Sequence, residues 1–169
     1  DNNLNNTKNV QNNDIIYKSD AQMSQSVKEL FKFSKDGNFN SLKQLIEDKE
    51  FQGSTVNLAL RKLITTNNIK KSNYIECFKL LLSTNIDLNY KIPKDNSTIL
   101  MKLSTMLERD LIKELLDAQN KSINQVNNKF QTIEEEEKYE LEQKEIFFSQ
   151  KDSNNNNFFN YLFGSSDLN

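Results

Sequence analysis

Three stretches of this 169-residue chain repeat one pattern of apolar and polar side chains at nearly equal intervals. They are Asn38-Phe39-Asn40-Ser41-Leu42-Lys43-Gln44-Leu45-Ile46, Tyr74-Ile75-Glu76-Cys77-Phe78-Lys79-Leu80-Leu81-Leu82 and Glu108-Arg109-Asp110-Leu111-Ile112-Lys113-Glu114-Leu115-Leu116. The central lysines, Lys43, Lys79 and Lys113, stand 36 and then 34 residues apart. A unit of that length cannot bury its apolar stripe alone, so neighbouring units must cover it and the chain must stack. From about Ser24 onward, short amphipathic stretches alternate with polar, asparagine-containing turns. No segment alternates with period two for long enough to make a strand, so the expected fold class is all-α.

Composition sharpens this by exclusion. With no histidine, one cysteine and three scattered glycines, the chain has no Ser-His-Asp triad, no zinc finger and no phosphate loop. We therefore expect no catalysis, no cofactor and no metal. A net charge of −2 gives no basic stripe for nucleic acid. Apolar runs such as Leu80–Leu82 and Ile99–Met101 fall far short of the ~20 residues of a membrane span. The lone Cys77 suits a reducing compartment, so the expected location is intracellular, cytoplasmic in preference to nuclear. Asparagine supplies 26 residues and favours caps and turns over helix interiors. Its positions mark the breaks: Asn57, Asn89 and Asn124 close units, and Asn85 and Asn120 sit at helix ends. Residues 1–23, polar and asparagine-rich, are expected to be a disordered or poorly ordered tail.

The period and wording resemble the ankyrin repeat. Cys77-Phe78-Lys79-Leu80-Leu81-Leu82-Ser83-Thr84-Asn85-Ile86-Asp87-Leu88-Asn89 is similar to the family's second helix and turn, with Asn85 in the turn-glycine place. Ser97-Thr98-Ile99-Leu100-Met101-Lys102-Leu103 resembles its first-helix start, with Ile99 where the family has proline. The resemblance implies an ankyrin-like α-solenoid of about four helix–turn–helix repeats joined by short hairpin loops. The repeats lie near 26–57, 55–89, 97–124 and 131–169. In the last, a first helix is expected over about Tyr139 to Gln150, with Leu141, Ile146 and Phe147 inward. Phe158–Phe163 is then expected to be its second helix, and the acidic run near 134–138 an insertion. Short hairpins at Asn89–Asn96 and Asn124–Gln131 would separate ankyrin repeats from other helical arrays.

Several local clusters invite chemistry and have plainer readings. Glu134–Glu137 lacks the spacing and glycine of a calcium loop and reads as a solvated face. The pairs Glu47/Asp48 and Glu108/Asp110 read as exposed helix ends, and Cys77 as a buried structural thiol. The resemblance supplies the positive expectation: a protein partner bound by hairpin tips and inner helices. Carried residue by residue, that names Tyr90, Lys91 and Lys94 on one tip, Lys129 and Phe130 on the next, and Arg61, Lys102 and Met106 on inner helices. Packing of Tyr90 and Phe130 on adjacent hairpins is the alternative. The expected function is a protein-interaction module or scaffold, possessing no catalysis of its own and acting as a subunit of a larger complex. The alternative is a regulatory or targeting segment of a larger enzyme, such as a kinase or acyltransferase.

Overall fold

The computed structural model describes residues 23–66, 72–126 and 129–164. Among them are eight helices and no strand, so the chain is all-α. The helices are α1 (Gln25–Asp36), α2 (Phe39–Asp48), α3 (Gly53–Ile64), α4 (Ser72–Leu82), α5 (Ile99–Met106), α6 (Arg109–Asn124), α7 (Ile133–Ser149) and α8 (Phe158–Phe163). The expected tail lies outside the described residues except for Met23, and so does Asn169.

Cap chemistry sets where helices begin. Ser24, Asn38, Thr98, Thr132 and Asn157 each accept, at a side-chain oxygen, the backbone N–H of the residue three further on. Such a bond is worth ~1 kcal/mol against alanine at the same place. At α8 the pairing is reciprocal, because Asn160 Oδ1 also accepts the Asn157 N–H at 2.9 Å.

The helices touch in two rows. In the first row α1 meets α3, α3 meets α5, and α5 meets α8; in the second α2 meets α4, and α4 meets α6. Across the rows, α1 pairs with α2, α3 with α4, and α5 with α6. The core forms where the rows face each other. Leu30, Leu60, Leu63, Leu100 and Leu103 come from the first row, and Leu42, Phe78, Leu81 and Leu115 from the second, all at 0 % exposure. Each such side chain contributes ~1.5–3 kcal/mol through burial. The second-row members come from the three repeated stretches, so the pattern that forces stacking supplies a large part of the core.

The turns α1–α2 and α5–α6 have one backbone and two sequences. Gly37 (φ 64°, ψ 30°) and Asn38 (−83°, 82°) join the first pair. Leu107 (54°, 30°) and Glu108 (−83°, 80°) join the second. Before each turn a buried serine donates back to the carbonyl four residues earlier: Ser34 to Leu30 at 2.7 Å, Ser104 to Leu100 at 2.6 Å. The segments Leu30–Phe39 and Leu100–Arg109 thus correspond position by position, 70 residues apart. Gly37 is needed twice over. Its φ is left-handed, and a Cβ there would lie 2.8 Å from the Tyr74 ring.

The C-terminal part departs from the sequence reading. Residues 134–138 are not a separate insertion but the first turns of α7, which starts at Ile133 under the Thr132 cap. Of the three side chains expected inward, only Phe147 is, at 2 % exposure; Leu141 is 68 % and Ile146 44 % exposed. The reason is periodicity: α7 has no apolar stripe, since its apolar residues point around the whole helix. Nor is α8 a second-row helix. It lies against α5, as α5 lies against α3.

Candidate interaction surface

The loop between α4 and α5 is built from backbone bonds and one turn residue. The Ile92 N–H donates to the Ser97 carbonyl at 3.0 Å, and the Asn96 N–H donates to the Ile92 carbonyl at 2.7 Å. Asn96 sits at φ 55°, a conformation asparagine tolerates better than most residues. Asp95 Oδ1 accepts the Ser97 N–H at 2.9 Å. The segment from Ile92 to Ser97 is therefore a short hairpin. At the other expected hairpin, residues 127 and 128 lie outside the described residues; the Lys129 N–H donates to the Val126 carbonyl at 3.0 Å.

Two polar residues one turn apart on α3 hold this loop at both ends. Asn57 Nδ2 donates to the Asp87 carbonyl at 3.0 Å. Arg61 donates from Nε to Asn57 Oδ1 at 2.8 Å, and its terminal nitrogens donate to the Ser97 hydroxyl at 3.2 Å and the Ser97 carbonyl at 2.6 Å. Gly53 lets the loop base approach: a Cβ there would meet the Asp87 amide nitrogen at 2.8 Å. Burial pushes the Arg61 guanidinium down to about 10, against the opposing pull of Asp95 and Tyr90, so it stays charged at neutral pH. For Asp95, desolvation raises the carboxyl, but the Ser97 hydrogen bonds and the charges of Arg61 and Lys102 outweigh it and leave it below the usual carboxylate range. A buried guanidinium with these three donors matched is a fastener.

The residues expected from sequence fall into distinct settings. Arg61 points inward and is 8 % exposed, its donors engaged with Asn57 and the loop. Lys102 and Lys94 are exposed, while Met106 and Tyr90 are half-buried. Lys91 is engaged by the chain itself, donating from Nζ to the Lys151 carbonyl at 2.8 Å. Lys129 is exposed, and Phe130 packs its ring 5.0 Å from that of Tyr139 on α7. Arg61, Asp95 and Lys102 thus share one neighbourhood, whereas Phe130 belongs with α7.

Sequence reasoning misses the loop that precedes α8. Asp152 organises it, its Oδ1 accepting the N–H groups of Asn154 and Asn156, with Asn155 at φ 62°. It lies beside the Ile92–Ser97 hairpin: the Ser153 N–H donates to the Asp95 carbonyl at 2.8 Å, and Asn96 Nδ2 donates to the Ser153 hydroxyl at 3.3 Å. Tyr161 on α8 closes the unit by donating its hydroxyl to Asp152. The available signal was Asp152-Ser153-Asn154-Asn155-Asn156-Asn157, a turn-former run ending in a helix cap. It plays the part that Asp95-Asn96-Ser97-Thr98 plays ahead of α5.

Cys77 is fully buried, and burial, reinforced by Glu76, pushes its thiol up to about 11. A cleft of about 560 Å³ between the ends of α4 and α6 is lined by both signs of charge, including Lys79, Glu114, Asp117 and Lys121. Among the described residues no group of three or more acidic or cysteine side chains is placed to hold a metal ion, and no helix is long and apolar enough to cross a membrane. Comparison with protein-family models, with curated proteins and with solved structures yields no match.

Proposed function

We propose that the chain is an ankyrin-like repeat array serving as a protein-interaction module or scaffold subunit, with no catalysis of its own. Its partner is another protein, bound at the hairpin between α4 and α5 and along the exposed side of the first-row helices. The observation that carries this reading is the hairpin itself. A short loop fastened from beneath by Asn57 and Arg61, with Lys94 left exposed at its tip, is a preorganised contact surface. The two helix rows, with α8 continuing the first and the 152–156 loop lying beside the hairpin, support a repeat array. A reducing cell interior suits the free Cys77.

Affinity purification from the native cell with mass spectrometry tests this. The wild-type chain is expected to retain a stoichiometric protein partner that a Lys94→Glu, Lys102→Glu variant loses. Recovery of no partner, or full retention by the variant, overturns the reading.

A further inference from the structure

The charges of this molecule are segregated by surface. Helices α3, α5 and α8 contain no carboxylate at all. Along the first row a lysine recurs at one register, in Leu30-Phe31-Lys32-Phe33, Leu60-Arg61-Lys62-Leu63 and Leu100-Met101-Lys102-Leu103. Lys32, Lys62 and Lys102 are all exposed, and Lys62 reaches toward α1, its Nζ 4.9 Å from the centre of the Phe31 ring. Most carboxylates near this row are occupied locally: Glu29 accepts from Gln25, Asp95 from Ser97, and Asp152 from Tyr161 and its own loop, while Asp36 is exposed at the end of α1, one turn beyond Lys32. Among the described residues, no ion pair involves any of the three lysines. The four pairs present lie on α2, α4 and α7.

Helix α7 is the complement. Its sequence IEEEEKYELEQKEIFFS carries seven glutamates against two lysines. Its half-cylinder away from Phe147 exposes Glu134, Glu135, Glu142 and Glu145 against a single lysine, Lys138, which pairs with Glu142 at 4.0 Å, together with Leu141 and Ile146. The helix is tied to the molecule mainly through Phe147 and Phe148 near its C-terminal end. At 1.5 Å per residue it is ~25 Å long. Three helices side by side at ~8–10 Å spacing present a row spanning ~16–20 Å between outer axes. The two surfaces match in sign and length.

We propose that the lysine row of Lys32, Lys62 and Lys102 docks the acidic face of α7 from a second copy of this chain. The proposal builds on the partner-binding reading and names the occupant of its first-row half. Each copy carries both halves of the contact, so two copies can pair reciprocally or associate head to tail. Duplex nucleic acid fits this surface poorly, because seven glutamates on the same molecule would repel it. Exposed ion pairs are individually weak, so the association depends on the ensemble and on salt.

Sedimentation of the full chain tests this. At ~20 mM salt the average mass is expected to rise above the 19.7 kDa monomer as protein approaches ~100 μM, and to return to monomer at ~500 mM salt. The triple variant Lys32→Glu, Lys62→Glu, Lys102→Glu should stay monomeric. A control of equal charge change on the second row, Lys43→Glu, Lys79→Glu, Lys113→Glu, should associate as wild type does. Reversal on α7, through Glu134→Lys, Glu142→Lys, Glu145→Lys, should also give a monomer, and mixing the two reversed chains should restore association. A wild-type chain that is monomeric throughout, a Lys32→Glu, Lys62→Glu, Lys102→Glu variant that still associates, or a mixture that fails to recover overturns the proposal. If such a monomer still retains a different stoichiometric protein, the partner-binding reading stands while this one falls.

Discussion

The stretch from Gln25 to Asn124 and the stretch from Ile133 to Phe163 are both helical, but they are held differently. In the first, helices turn a broad apolar face to their neighbours; α3 alone buries eight of its twelve residues. In the second, α7 buries only Phe147 among seventeen residues, and α8 only Phe158. What keeps α7 helical is largely local. Thr132 caps it, glutamates fill its positively polarised first turn, and Lys138–Glu142 and Lys144–Glu140 pair along it. The six-helix part is thus stabilised by packing between units. The C-terminal part is an arm, fastened by an aromatic cluster, by α8 lying against α5 and by one loop. Stability in the two parts should respond to different substitutions.

The largest expected effect lies in the packed part. Leu81 is fully buried between the rows, and Leu81→Ala should cost ~2–5 kcal/mol by leaving a cavity. The whole six-helix part should feel it, as a lowered Tm and as faster labelling of Cys77 by a thiol reagent. An unchanged labelling rate would show that the packing does not couple α4 to its neighbours.

Next comes Arg61, which holds the hairpin to which the arm's 152–156 loop is bonded. Arg61→Leu removes three donors and leaves Asn57 and Ser97 acceptors to find other partners, for ~2–3 kcal/mol. The hairpin should loosen first, and the 152–156 loop bonded to it should follow, seen as parallel gains in amide exchange at Ser97 and Ser153. Faster exchange at Ser97 alone would mean that the arm does not depend on the hairpin.

Phe147→Ala should separate the parts. Phe147 touches Phe148, whose ring lies 5.8 Å from that of Phe158, so its loss weakens the anchor of both C-terminal helices. The free energy lost is limited to that of undocking the arm, which is below the global stability and caps the ~3–5 kcal/mol of a retained Phe→Ala cavity. Amide exchange in α7 and α8 should quicken while Cys77 labelling stays at the wild-type rate. Equal acceleration at Cys77 would make the molecule one cooperative unit and remove the distinction.

What the sequence disclosed follows the same division. The all-α class and the buried leucines of α2, α4 and α6 were legible, because packing between repeats requires a periodic stripe and the stripe is written in Leu42, Leu81 and Leu115. Arg61 was misplaced because a sequence pattern cannot tell an exposed helix position from one that turns inward to satisfy a loop. The arm was misread for a different reason. A helix held by charge and capping carries no packing period, so Leu141 and Ile146 were assigned inward faces they do not have. The Asn154–Asn157 run has no apolar period either, and its turn chemistry leads into α8 beside α5.

The smallest expected effect tests how strictly the packed part keeps its own rule as the arm approaches. Gly37 and Leu107 occupy the same left-handed turn, yet one is the residue that turn favours and the other is among those it penalises, by ~1–2 kcal/mol. Leu107 is 65 % exposed, so little burial offsets that cost. Leu107→Gly relieves the strain but gives the unfolded chain more freedom, an opposing ~0.4–1 kcal/mol. The net should be a stabilisation of about 0.5 kcal/mol, visible as a small rise in Tm. Leu107→Asn should do at least as well, since asparagine tolerates the conformation with less unfolded-state entropy. Gly37→Ala should act in the opposite sense and more strongly, because the same φ is there joined by contact with the Tyr74 ring. If both Leu107 variants instead lower Tm, the leucine makes a contact that offsets its strain, and the third turn is specialised rather than a degenerate copy of the first.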